Sequence, residues 1–322
     1  MTTYPARIPI RASRTRLHGA FTALVTPFTA DGALDEPAFG RLLDAQVGGG
    51  IAGLVPCGTT GESPTLSPNE RDRLIELSVA AAGRVTGDAR PTVLAGTGTN
   101  DTAATIAATR RAAELGADVA LVVAPYYNRP NQAMLAAHYT AVADEGGLPV
   151  VVYNVPSRTA TNVEAATLLE LAAHERIVGV KEASGNLDQI ALICRDRPDG
   201  FAVLAGDDAW TLPVLALGGD GVVSVASNEV PAEMVALCAA ADAGDWSAAR
   251  QIHERLLPLF RANFAGAPNP APVKAALAAM GLIENHLRLP LLALDDAGVG
   301  AMASALREAG VPALRSLAAS QA

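Results

Sequence analysis

Eight short apolar runs recur along the chain, at residues 20–28, 53–57, 92–96, 119–124, 149–154, 177–182, 201–206 and 221–226, roughly 20 to 35 residues apart. Each is too short for a helix and too uniformly apolar for a strand with one wet face. Strands buried on both faces belong to parallel sheets, and parallel neighbours must be joined by crossovers, usually helical. The intervening segments fit that demand: 35–47, 68–85, 101–115, 132–143 and 163–173 carry helical periodicity. Their ends are punctuated. Ser67-Pro68-Asn69-Glu70 places a serine cap, a proline in the first turn and a glutamate three residues on, while Gly116 and Gly146-Gly147 stand where helices should stop.

Eight βα units predict an α/β fold closed into a (β/α)8 TIM barrel. The rival is an open doubly wound sheet with a GxGxxG turn after its first strand. That position reads Thr26-Pro27-Phe28, and Gly96-Thr97-Gly98 lacks the third glycine. About 95 residues follow Ala226, more than one barrel helix needs. The expected division is a flexible tail over 1–16, a barrel over 17–244 and a C-terminal helical extension over 245–322, broken near 267–270. The tail holds four arginines and no acid, but no apolar core of a secretory signal, and is short for an organelle transit peptide.

Composition narrows the function. Half of the 322 residues are hydrophobic and 18% are charged, enough for a large core. A formal net charge of −9 argues against a nucleic-acid binder, and no run approaches the ~18 apolar residues of a membrane span. Cys57, Cys194 and Cys238 are odd in number and widely spaced, unlike a disulfide framework or a zinc site. That points to a reducing, cytoplasmic setting.

Of 24 basic residues only Lys181 and Lys274 are lysines. Lys181 ends the apolar run Ile177-Val178-Gly179-Val180. A charge at the end of a buried strand is costly unless paired or used. A lysine amine, unlike a guanidinium, can lose its proton and attack a carbonyl. The plain alternative is an ion-paired structural lysine. In a barrel, catalytic groups come from the C-terminal strand ends, and the unusual residues collect there: Cys57-Gly58-Thr59-Thr60-Gly61-Glu62-Ser63, Tyr126-Tyr127, Tyr153, Arg158, Gly206-Asp207-Asp208. Such a set suits Schiff-base chemistry on a 2-oxo acid. Tyr153 would shuttle protons, helped by hydroxyls of Thr59 or Thr60 and Tyr127. The amides of the 58–62 turn would hold a carboxylate, and Arg158 a second one. Asp207 and Asp208 are read as turn residues, not metal ligands. The histidines are scattered.

At these motifs the chain resembles the dihydrodipicolinate synthase / N-acetylneuraminate lyase family of class I aldolase-type barrels. The likeness runs from about residue 19 to 280 through TALVTPF, GTTGESPTL, AGTGTN, PYYNRPNQ, YNVPSRT, VGVKEASG, AGDD, GGDGVVSVASN and NPAPVK. The resemblance implies Lys181 as the Schiff-base residue, Tyr153 as general acid/base, and Thr60 and Tyr127 as the rest of a relay, with Tyr127 reaching a neighbouring subunit's site. It implies a pyruvate pocket of Thr59, Thr60, Gly206 and Val223, with Arg158 for the carboxylate of aspartate semialdehyde. It further implies a homotetramer built as a dimer of dimers, a covalent Schiff base with no cofactor or metal, and a place in lysine and diaminopimelate biosynthesis. GTTGE in place of GSTGE, with Tyr126-Tyr127 and Arg158, favours the synthase branch. A sibling aldolase acting on a 4-hydroxy-2-oxo acid or sugar acid, and a catalytically dead 2-oxo acid sensor, are the alternatives. Lys274 is read as structural.

Many synthases of this family are inhibited by lysine at a dimer-interface pocket containing a glutamate and a histidine. The glutamate position here holds Ala104 and the histidine positions hold Pro68 and Arg71, although Ser63, Asn100 and Tyr126 remain. Weak or absent feedback is therefore expected, with Asp101 a partial substitute for the missing carboxylate.

Overall fold

The computed structural model describes residues 17–312; the expected tail over 1–16 lies outside them. Eight parallel strands close into one barrel in chain order: β1 (Gly19–Ala23), β2 (Gly53–Val55), β3 (Thr92–Gly96), β4 (Val119–Val123), β5 (Val150–Asn154), β6 (Ile177–Glu182), β7 (Ala202–Ala205) and β8 (Gly221–Ser224), with β8 pairing back to β1. Every predicted run contains a strand. Five of the strands, β1, β2, β4, β7 and β8, end earlier than their apolar runs, because the chain turns at the C-terminal rim. Pro27 has no N–H to give a ladder, and Phe28 instead makes an antiparallel bridge to Leu34. Cys57, at φ 59°, lies two residues beyond the end of β2.

The helices are α1 (Glu36–Gly48), α2 (Pro68–Gly83), α3 (Thr102–Glu114), α4 (Gln132–Glu145), the short α5 (Pro156–Thr159), α6 (Ala165–Ala172), α7 (Leu187–Asp196), α8 (Thr211–Ala216), α9 (Pro231–Asp242), α10 (Trp246–Ala262), α11 (Ala271–Ala279) and α12 (Asp296–Glu308). Local chemistry starts them. The Ser67 capping box of α2 is fully formed, and Asp35, Asp101, Asn131, Asn186, Asp245 and Asp295 each accept from a backbone N–H in the helix they precede.

Alternation along the strands yields two cores. Phe21, Val55, Leu94, Leu121, Val151, Leu204 and Val223 fill the barrel, while Leu54, Val93, Val122, Val152, Val180 and Val203 pack outward against the helices. Gly53 is required by this filling, since a Cβ there would lie 2.1 Å from the Phe21 ring. A third cluster joins α1, Val25 and Val225 to Val273 and Leu277 of α11. The helical extension is thus seated on the β1/β8 sector of the barrel.

Candidate active site

Lys181 reaches the barrel interior because β6 carries an irregularity. Ile177 pairs with Val150, but Val151 pairs with Gly179, so β6 gains one residue against its neighbour. Ile177 and Val180 consequently both pack with the outer core, while Val178 packs inward. Strict alternation from Ile177 would aim residue 181 at the helices; the extra residue reverses the phase. Glu182 then faces outward, buried, accepting from Asn154 Nδ2 at 3.0 Å, Gln189 Nε2 at 3.2 Å and the Ser184 amide at 2.7 Å.

Downstream of that shift, Tyr153 of β5 pairs with Lys181. The lysine Nζ lies 4.2 Å from the tyrosine ring centroid, within cation–π range. The residues are only 5% and 6% exposed. Val223 of β8 belongs to the same inner cluster as Tyr153. Gly206, just past β7, leaves space for the lysine stem: a Cβ there would lie 3.2 Å from Lys181 Cγ and 2.6 Å from Ala183 Cβ.

The turn after β2 faces the same C-terminal mouth. Its own hydrogen bonds, Gly61 N–H to Gly58 O and Glu62 N–H to Thr59 O (both 3.1 Å), consume two amides. The amides of Thr59 and Thr60 donate to nothing among the described residues. Two adjacent N–H groups left open at a barrel mouth suit a carboxylate. Thr60 is buried, and its hydroxyl oxygen accepts from Asn269 Nδ2 at 3.0 Å rather than meeting a tyrosine. Asn269 went unread as a site residue; its one signal was its position in the NPAPVK motif.

Not every candidate converges. Tyr127 is 89% exposed with φ 75°, whereas Lys181 and Tyr153 of its own chain are buried. Arg158, on α5, is exposed at the rim with one long contact, 3.5 Å, to Asn269 O. Asp207 accepts from the Ala209 amide and Asp208 from the amides of Val225 and Ala226, tying the β7 loop to the β8 loop. Burial raises both carboxyls, Asp208 to about 6. Cys57 and Cys238 are buried thiols pushed up to about 12, which removes them as nucleophiles.

Backbone strain gathers at this end of the molecule. Among the described residues, the non-glycine positions with positive φ are Cys57, Glu62, Tyr127, Arg129 and Ala160, all in loops after β2, β4 and β5. Such conformations persist where the surroundings over-determine them, often at functional sites. What the mouth offers chemically is a buried amine beside a phenol, with open amides for an anion.

Comparison with known proteins points to one family. The family model described as the dihydrodipicolinate synthetase family matches residues 16–309. The 4-hydroxy-tetrahydrodipicolinate synthase of Syntrophus aciditrophicus is 49% identical over 278 residues, covering 86% of this chain and 93% of that protein. Among solved structures, dihydrodipicolinate synthase of Aquifex aeolicus superposes with a TM-score of 0.87 at 41% identity, covering 92% of this chain and all of that one (100%). A monomeric dihydrodipicolinate synthase variant gives 0.88 at 41% identity over 92% and 98% of the two chains.

Proposed function

The chain belongs to the dihydrodipicolinate synthetase family, and on that premise we propose that it condenses pyruvate with L-aspartate 4-semialdehyde to 4-hydroxy-tetrahydrodipicolinate, a lyase reaction of lysine and diaminopimelate biosynthesis. The observation that carries the reading is the buried Lys181 amine held over the Tyr153 ring at the strands' C-terminal ends.

The Lys181 amine adds to C2 of pyruvate, and the carbinolamine loses water to give an iminium. The open Thr59 and Thr60 amides receive the pyruvate carboxylate, and Gly206 and Val223 shape the pocket around its methyl end. The iminium draws electrons from the methyl group, which gives up a proton and becomes an enamine. The enamine carbon attacks the semialdehyde aldehyde, whose oxygen takes a proton. The semialdehyde amine then attacks C2, closes the ring and expels Lys181. Tyr153 handles these protons beside the nitrogen, with Thr60 and a partner's Tyr127 completing the relay. Arg158, exposed at the rim, holds the semialdehyde carboxylate. No group beyond the lysine is needed as electron sink. Two copies would share each pair of sites within a homotetramer in the cytoplasm. Among the described residues no helix is long and apolar enough to cross a membrane.

Pyruvate and borohydride together should leave an irreversible adduct on Lys181; its absence would remove every aldolase reading. Turnover with the semialdehyde, set against sialic acid and 4-hydroxy-2-oxo acids, distinguishes the synthase from sibling aldolases.

A further inference from the structure

The chain replaces lysine by arginine at all but two of its basic positions, and Lys181 is accounted for by its chemistry. Lys274 is not. It lies on α11, fully buried, 93 positions from Lys181 in sequence. Its Nζ donates to Glu62 Oε1 at 2.6 Å and to Thr26 O at 2.8 Å, and sits 4.5 Å from the Phe28 ring centroid. Two oxygens and a ring face surround the compact ammonium, whose three rotatable donors reach both oxygens. Burial drives the Lys274 pKa down, and Glu62 opposes it by favouring the charged form.

Both partners belong to the machinery around the open amides. Glu62 ends the turn that displays Thr59 and Thr60, and its N–H donates to Thr59 O at 3.1 Å. It holds a left-handed φ of 53° without being glycine, and its second oxygen accepts from the Arg288 amide at 3.1 Å. Thr26, whose carbonyl receives Lys274, donates its hydroxyl to Gly61 O at 2.8 Å. One ammonium from the helical extension therefore fixes the turn at Glu62 and, through Thr26, at Gly61.

We propose that Lys274 is a positioning residue for pyruvate: its buried ion pair with Glu62 holds the 58–62 turn so that the Thr59 and Thr60 amides face the carboxylate beside Lys181. This rests on the carboxylate role proposed for that turn. A pair serving stability alone would leave pyruvate affinity untouched once the protein is folded. The variants are Lys274→Met and, to leave no uncompensated buried charge, Glu62→Gln with Lys274→Met. Borohydride capture of pyruvate on Lys181 is followed against pyruvate concentration, with circular dichroism and thermal midpoints alongside. The folded double variant should need about tenfold more pyruvate for half-saturation, the scale of one lost charge-assisted contact, while its limiting capture rate stays within about threefold of wild type. Wild-type half-saturation in the folded double variant would overturn the proposal, whatever happens to its melting temperature. Failure of the reaction itself shows differently, as no capture by the wild-type chain.

Discussion

Lys181 and Tyr153 illustrate how much a residue's neighbours in sequence can and cannot say. A lysine ending a buried strand is conspicuous because burial of a charge needs a reason, so the nucleophile is legible locally. Its direction is not: the extra residue in β6 that turns it inward shows only in the pairing with β5. The contact of Asn269 with Thr60 spans 209 positions, beyond any local pattern. Three substitutions separate the proposed roles. Lys181→Ala should fold and take up no pyruvate adduct under borohydride. Tyr153→Phe keeps the ring beside the amine and removes the hydroxyl, so turnover should fall ~10²–10⁴-fold with the fold intact. Arg158→Ala removes an exposed side chain with one marginal contact; it should still trap pyruvate at wild-type rate and fail with the semialdehyde. Loss of trapping in that last variant would reassign Arg158.

Helix termini are the elements that the sequence describes best, since caps act over three or four residues. The α2 capping box is such a case, but the second use of its glutamate is tertiary. Glu70 also pairs with Arg288 from the far end of the chain, and Arg288 further donates to Gly32 O and Thr65 O. Arg288 chiefly, and then the Ser67 bonds, hold the Glu70 carboxyl down at about 2, against the usual 4.5. A depressed carboxyl contributes stability that is complete above its unfolded value and lost as pH falls through its folded one. Glu70→Gln should therefore lower stability at pH 7, on the order of 1 kcal/mol for a pair at the surface. The gap from wild type should close between about pH 4.5 and pH 2, readable from unfolding midpoints across that range. A gap constant over that range would show that the ion pair is not its source. The α3 cap bears on regulation. Asp101, which sequence offered as a stand-in for the missing pocket glutamate, already accepts from the amides of Ala103 and Ala104. One of its two oxygens, Oδ1, is committed to the helix terminus, and Ala104 supplies no carboxylate. An ammonium ligand thus finds there only a carboxylate anchored at the α3 N-terminus, whose dipole competes for its charge, and half-inhibition by lysine should lie above about a millimolar. Inhibition at micromolar lysine would mean that another acid occupies the pocket.

At the scale of the whole molecule, the barrel was legible because eight doubly apolar strands leave few ways to bury both faces. The seat of the helical extension was not, because it depends on long-range contacts: the apolar cluster of Val25 and Val225 with Val273 and Leu277, and the bonds of Lys274, Asn269 and Arg288. Assembly is further still from sequence, yet Tyr127 bears on it. A tyrosine 89% exposed at a strained φ of 75°, on the rim beside a half-exposed Tyr126, is poorly placed to serve its own chain. If it completes a partner's relay, activity belongs to a pair of chains and can be reconstituted from two defective ones. Lys181→Ala lacks the nucleophile but still presents Tyr127. Tyr127→Ala keeps the nucleophile but presents nothing. In a mixed dimer one of the two sites regains both groups. Random reassortment of equal amounts makes half the dimers mixed, each with one complete site, so about a quarter of wild-type activity should return for a two-fold symmetric pair. Sedimentation should find the mixture in dimers or tetramers. Activity no greater than the sum of the two variants measured apart, after exchange is shown by mass, would place Tyr127 outside the relay and leave the lysine chemistry untouched.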